Sequence, residues 1–188
     1  VTFVLGVIIL LVATLLVTVV ITTYNTVVAL HRRADRAWAN VDVGLKQRHD
    51  ELPALVAAVR GQLGFERQVL DEVTRLRAAY RPEAPLAEQA VTSEATSRAV
   101  RSLFAVLERY PELRSNENVM ALQEEIERLE TLIARRRELF NQQVYQHNAT
   151  IGQVPAVFLA GIFSWKPLPM FAAEAPARAR PEAGILPG

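Results

Sequence analysis

From Val1 to Leu30 the chain carries no Asp, Glu, Lys or Arg, and nothing else in the sequence limits its fold so severely. Within that stretch, Phe3 to Ile21 is 19 residues long, and fifteen of them are Leu, Ile, Val or Phe. As a helix it rises roughly 28 Å, which matches a hydrocarbon core of about 30 Å. Fifteen such side chains favour insertion by on the order of 5 kcal/mol or more. Thr14 and Thr18 dilute the run little, because a threonine hydroxyl can bond back to its own helix. A cleaved signal peptide is the rival reading. It calls for a basic n-region, a shorter apolar core and a small-residue cleavage site, whereas here Thr22-Thr23-Tyr24-Asn25 follows the run. A stable transmembrane anchor over residues 1–30 is therefore expected. Since the first residue is Val1, the native start is expected to have been trimmed or to lie upstream.

His31, Arg32, Arg33 and Arg36 follow the span directly, with Lys46 and Arg48 beyond. By the positive-inside rule this puts the N-terminus outside and the body in the cytoplasm.

Past the membrane the pattern changes to helical spacing. Trp38, Val41, Leu45, Leu52, Leu55 and Val59 fall on steps of three, four and seven, and Leu63, Leu70, Val73 and Leu76 extend the stripe. Lys46, Arg48, Glu51 and Arg60 fall on the intervening faces. Pro53 removes one backbone hydrogen bond and crowds the carbonyl of His49, so the expectation is one long helix kinked there. Arg81-Pro82-Glu83-Ala84-Pro85 breaks the pattern. A second helix is expected from Leu86 to Tyr110, burying Ala90, Val91, Leu103, Val106, Leu107 and Tyr110. After Pro111–Asn116, Ser115 or Asn116 can cap a third helix. Its stripe is Val119, Leu122, Ile126, Leu129, Leu132 or Ile133, Leu139 or Phe140, Val144 and Ile151. Its glutamates and arginines read as a solvated face with paired charges.

The fold class is thus all-α: a transmembrane helix continuing into a long antiparallel helical bundle. The divisions expected are an anchor over 1–30, a bundle over 31–153, a short apolar helix with an aromatic and proline corner over 154–171, and a flexible Ala/Pro-rich tail over 172–188.

Function classes are narrowed mostly by what the sequence lacks. The chain has no cysteine and a net charge of only +1, which removes thiolate chemistry and argues against nucleic-acid docking. His31, His49 and His147 belong to no metal-binding motif, and no phosphate loop or nucleophile elbow is present. No catalytic, cofactor-binding or metal-binding residue is therefore assigned. His49-Asp50-Glu51-Leu52-Pro53 looks like the phospho-acceptor box of sensor kinases, but its proline falls one residue early and no nucleotide-binding domain follows. His49 and its charged neighbours are read instead as a polar layer that satisfies the carbonyls freed by Pro53 and fixes helix register. Phe158, Phe163, Trp165 and Phe171 have two readings. Either they cap the open end of the bundle, or they form an interfacial segment touching lipid or a neighbouring subunit. The lipid version requires the bundle's C-terminal end to lie near the membrane.

Several segments together carry a resemblance. They are Ala37–Asp50 running into Leu52–Val56, then Leu107–Leu113 with Asn116-Glu117-Asn118 and Leu122–Glu125, then Arg136-Arg137, Phe140-Asn141 and Tyr145–Asn148, and finally Phe163–Pro167. In this order they resemble the LemA family of bacterial proteins. The resemblance implies one N-terminal transmembrane helix, a long helical bundle, a place in the bacterial inner membrane, and no enzymatic activity. Relatives among magnetosome membrane proteins, and family genes near membrane metalloprotease genes, imply a role in organising the membrane or a partner protein. Gly44 departs from the family pattern, and it is read as tolerance of a poor helix former, which costs about 1 kcal/mol. The expectation is a non-catalytic, self-associating scaffold that contacts the lipid bilayer; a membrane sensor, or an accessory subunit of a metalloprotease, is the alternative.

Overall fold

A computed structural model describes residues 1–60 and 67–172. Six helices follow in order: α1 (Thr2–Arg60), α2 (Arg67–Ala78), α3 (Leu86–Leu107), α4 (Pro111–Arg114), α5 (Glu117–Ile151) and α6 (Ala156–Phe163). Helix α1 holds 59 residues without interruption, a rod of about 88 Å at 1.5 Å per residue. It passes from the apolar run through residues 22–33 and then through Pro53 as helix throughout. The threonines along its first half are satisfied internally: the hydroxyls of Thr14, Thr18, Thr22 and Thr26 each donate to the carbonyl four residues earlier at 2.8–2.9 Å.

The stripe predicted to run along one bent helix to Leu76 is instead shared by two. Helix α2 lies antiparallel to α1, so that Tyr80 reaches Asp42 and His49 while Val73 and Thr74 lie beside Val56 and Ala57. Leu70, Val73 and Leu76 bury into the same cluster as Leu52, Leu55 and Val59, which is why the apolar period carries across the reversal. Leu63, Gly61 and Gly64 lie outside the described residues, as does the tail over 173–188. Helix α3 runs back alongside α1 and α5 descends it, giving an up-down-up-down bundle of four long helices rather than three.

Local chemistry accounts for the turns. Between α2 and α3, Arg81 pairs with Glu88, and the Gln89 amide donates to the carbonyls of Pro82 and Ala84 at 2.9 Å. Asn116 caps α5, its side-chain oxygen accepting from the N–H groups of Asn118 and Val119 at 3.0 and 3.2 Å. Pro111 occupies the first turn of α4, where its missing N–H costs nothing.

The core is divided into three clusters along α1. The distal one joins Leu52, Leu55 and Val59 to Leu103, Leu107, Ile126 and Leu129. A middle one holds Ala34, Val41, Leu45, Ala90, Ile133, Phe140, Val144 and Phe171. The third, nearest the apolar run, consists of Val27, Ile151 and Ala156 with Trp165 against them. Helices α1 and α5 keep one antiparallel register throughout, meeting at Arg48–Glu130, His31–His147 and Val27–Ile151. The end of α5 therefore lies at the foot of the apolar run.

Two expected burials are corrected. Val91 is exposed, because the inward face of α3 turns on Ser93, Thr96, Ser97 and Val100 instead. Gly44 is buried against α5, where an added Cβ would stand 3.0 Å from Ile133 Cγ1 and 3.3 Å from an Arg136 nitrogen. Close helix approach, not tolerance of a poor helix former, explains this glycine.

Candidate functional site

Arg48, which the spacing sets between the apolar positions of α1, is only 4% exposed. The reason is that α3 offers it small hydroxyls instead of apolar side chains. Its guanidinium donates to Ser97 Oγ at 2.8 Å, to Glu130 Oε1 at 2.7 Å and to Ser93 Oγ at 3.1 Å. Ser97 Oγ in turn donates to the other Glu130 oxygen at 2.6 Å. One closed ring of charge-assisted hydrogen bonds therefore ties α1, α3 and α5 together between the distal and middle clusters. Glu130, like Arg136 bonded to the Asn40 carbonyl at 2.8 Å and Arg137 facing Glu94, is turned toward neighbouring helices. The α5 charges are only partly the solvated face expected of them; Glu125 with Arg128 and Gln123 with Glu127 keep that role.

A polar layer thus exists where one was expected, but its hub is Arg48 and not His49. None of the bonds made by Arg48 goes to the carbonyls beside Pro53. His49 lies beside Tyr80, ring centroids 5.0 Å apart and the planes tilted by 39°, and its Nδ1 is buried without a hydrogen-bond partner. Arg77 Nε and Gln89 Oε1 share that condition, and all three residues line one cavity of about 20 Å3 with Thr92, Ser93 and Thr96. That volume accommodates a single water-sized molecule, and its polar lining suits one. The Tyr80 hydroxyl donates to Asp42 at 3.2 Å. Burial, then the Asp42 charge and this hydrogen bond, push its pKa up to about 12.

The histidines, distant in sequence, come partly together: His31 and His147 meet edge-on at 5.4 Å, while His49 stays apart. Among the described residues no group of three or more His, Asp or Glu is arranged to hold a metal ion.

The C-terminal segment is where sequence reasoning missed most. Asn148 exchanges two hydrogen bonds with the backbone of Leu168, at 2.8 and 2.9 Å, and Asn141 does the same with Phe171, at 2.7 and 3.0 Å. Seven residues of helix span about 10.5 Å, and three residues of extended chain span about 10 Å, so the two clamps match in register. This strap carries Phe171 back to mid-bundle. There it is 1% exposed against Trp38, whose ring also meets Phe140, with the Arg137 guanidinium 4.7 Å over the Phe171 ring. Phe171 therefore neither caps the open end nor faces lipid. The signal was present in the spacing of Asn141 and Asn148, two turns apart on one helix face.

Phe163 and Trp165 go elsewhere. They gather around Tyr24 of α1, with centroids 5.0 and 6.1 Å from it. Ser164, at φ 55°, turns the chain out of α6 so that this contact forms. The end of the bundle thus stands beside the apolar part of α1. By length and composition, the N-terminal part of α1 is a candidate membrane span and is unburied by the protein itself.

A comparison with protein families matches the description "LemA family" over residues 37–183, well over half of the chain. No curated protein matches it.

Proposed function

The chain belongs to the LemA family, which is not a known enzyme family, and from that premise we propose that it is a non-catalytic, membrane-anchored scaffold that self-associates. The observation carrying this reading is the continuity of α1, whose exposed apolar half and buried bundle half form one helix. A tether joined by a loose hinge would leave the bundle free to tumble. A helix shared by membrane and bundle fixes the bundle's orientation to the bilayer, as lateral packing of many copies requires. The basic cluster His31, Arg32, Arg33 and Arg36 supports a bundle on the cytoplasmic side of a bacterial inner membrane. Small and hydroxyl-bearing side chains at Gly6, Thr14 and Thr18 allow close helix approach within the bilayer.

The same continuity supports a second reading, a sensor passing movement from the membrane to the bundle. Size measurement of the full-length protein in mild detergent by light scattering separates the two. A defined oligomer is the scaffold's outcome. A monodisperse monomer would sink it, and ligand-dependent thermal stability of that monomer would favour the sensor.

A further inference from the structure

The chain from Ala149 to Trp165 contains no charged residue, yet it is not packed away. Val154, Phe158 and Ile162 are 73%, 72% and 74% exposed, and Val157 lies beside them on the same side. Phe158 and Ile162, four apart within α6, lie on one face of that helix, and the exposed Val154 stands just before it. Gly161 has nothing within 4 Å of where a Cβ would stand, so the face is open there too. A soluble bundle has no use for four large apolar side chains in a row at one end.

The opposite face of α6 shows where this patch is held. Ala156 is buried against Val27 and Ile151, and Phe163 stacks with Trp165 against Tyr24. Tyr24 and Val27 belong to the uncharged part of α1 between the apolar run and His31. If the run fills the hydrocarbon core, this part occupies the headgroup layer, where tyrosine and tryptophan collect. Lys166, directly after Trp165, can hold its ammonium among the phosphates while its stem lies along apolar surface. At eight residues α6 rises about 12 Å and cannot cross the bilayer.

We infer that α6, with Val154 just before it, is a second membrane contact: an interfacial helix whose Phe158 and Ile162 face enters lipid beside the end of the α1 span. The occupant is lipid rather than a second copy because α6 is held at the foot of the apolar run of α1, at the level of Tyr24 and Trp165, two side chains that favour the headgroup layer. Two contacts, one through the span and one through α6, fix the rotation of the bundle about α1 as well as its tilt. The inference rests on α1 being a membrane span, so its test must read both.

The chain has no cysteine, which makes single-cysteine labelling direct. Full-length Phe158→Cys and Ile162→Cys are labelled with bimane in phosphatidylcholine–phosphatidylglycerol vesicles, beside Leu16→Cys in the run and Lys46→Cys in the bundle. Quenching is measured with doxyl groups near the headgroup, with doxyl groups near the chain end, and with aqueous iodide. The expected result is roughly twofold quenching at 158 and 162 by the shallow doxyl lipid, little by iodide, with position 16 quenched by the deep lipid and position 46 by iodide alone. Iodide quenching at 158 and 162 with position 16 still lipid-quenched would overturn the interfacial helix and leave the span intact. Shielding of 158 from both quenchers, with a 158–158 crosslink between copies, would overturn it in favour of a protein interface. Loss of lipid quenching at position 16 would bring down the span and this inference together.

Discussion

Arg48 on α1 and Glu130 on α5 lie 2.7 Å apart, and Arg48 is 4% exposed while the Glu130 side chain keeps 22% of its surface. This pair, closed by Ser97, fixes how far α5 can slide along α1. A one-turn shift would set Ile126 or Ala134 of α5, in place of Glu130, against the guanidinium. The same register brings Ile151 to Val27 and thereby sets α6 at the foot of the apolar run.

The unequal exposure of the two partners predicts unequal losses. Glu130→Gln leaves the buried Arg48 guanidinium without its counter-charge and should cost about 3–5 kcal/mol, as when a buried pair is broken. Arg48→Met leaves a carboxylate that can turn to solvent and should cost about half as much. Thermal melts of both variants in detergent check the order, and equal losses would mean that Arg48 is solvated in solution.

Gly44 gives a prediction opposite in sign to helix propensity. Gly44→Leu improves propensity by up to about 1 kcal/mol, but it drives a side chain into Ile133 and should be destabilising by about 2 kcal/mol or more. A rise in melting temperature would show that the α1–α5 approach is looser than its backbone implies.

Tyr80 supplies a pH dependence. Its folded pKa, about 12, lies above the ordinary 10.0. The stability contributed by its protonated hydroxyl is therefore fully present below pH 10 and is lost as pH rises through 12. Spectrophotometric titration of tyrosinate, as the difference between the native protein and Tyr80→Phe, should have its midpoint near 12. Asp42→Asn should lower that midpoint, and an unshifted midpoint near 10 would contradict the contact.

The strap predicts local release without global unfolding. Asn141→Ala removes both bonds to Phe171 and leaves a buried N–H and carbonyl unpaired, a loss of about 1–3 kcal/mol. Amide exchange at Phe171 should accelerate by at least tenfold, while the amides of Ile126 and Leu129 in the distal core keep their protection. Equal acceleration in both places would make the strap part of a single cooperative unit.

Much of this architecture was legible in the sequence, and the failures share a cause. Thirty uncharged residues and a regular apolar stripe state their meaning locally, so the long apolar helix, the helical class and the cap at Asn116 could be read directly. Burial of Arg48 could not, because it depends on Ser93 and Ser97 being opposite, a fact of tertiary pairing. Gly44 was misjudged for the same reason: propensity describes a lone helix, and Ile133 lies 89 residues away in the chain. The stripe through Leu76 gave the right faces but the wrong connection, since a periodic pattern is unchanged when a helix folds back on itself. The strap escaped because the spacing of Asn141 and Asn148 marks one helix face but does not say which backbone the two side chains hold.

The central claim is that membrane span and bundle are one rigid helix, and a distance measures it most directly. Leu16→Cys/Lys46→Cys carries two spin labels separated by thirty residues of α1, or about 45 Å along a helix. In vesicles, diluted with unlabelled protein so that only pairs within one chain report, double electron–electron resonance should give one narrow distribution near that distance. A broad or markedly shorter distribution would place a hinge between bilayer and bundle and reduce the N-terminal helix to a tether.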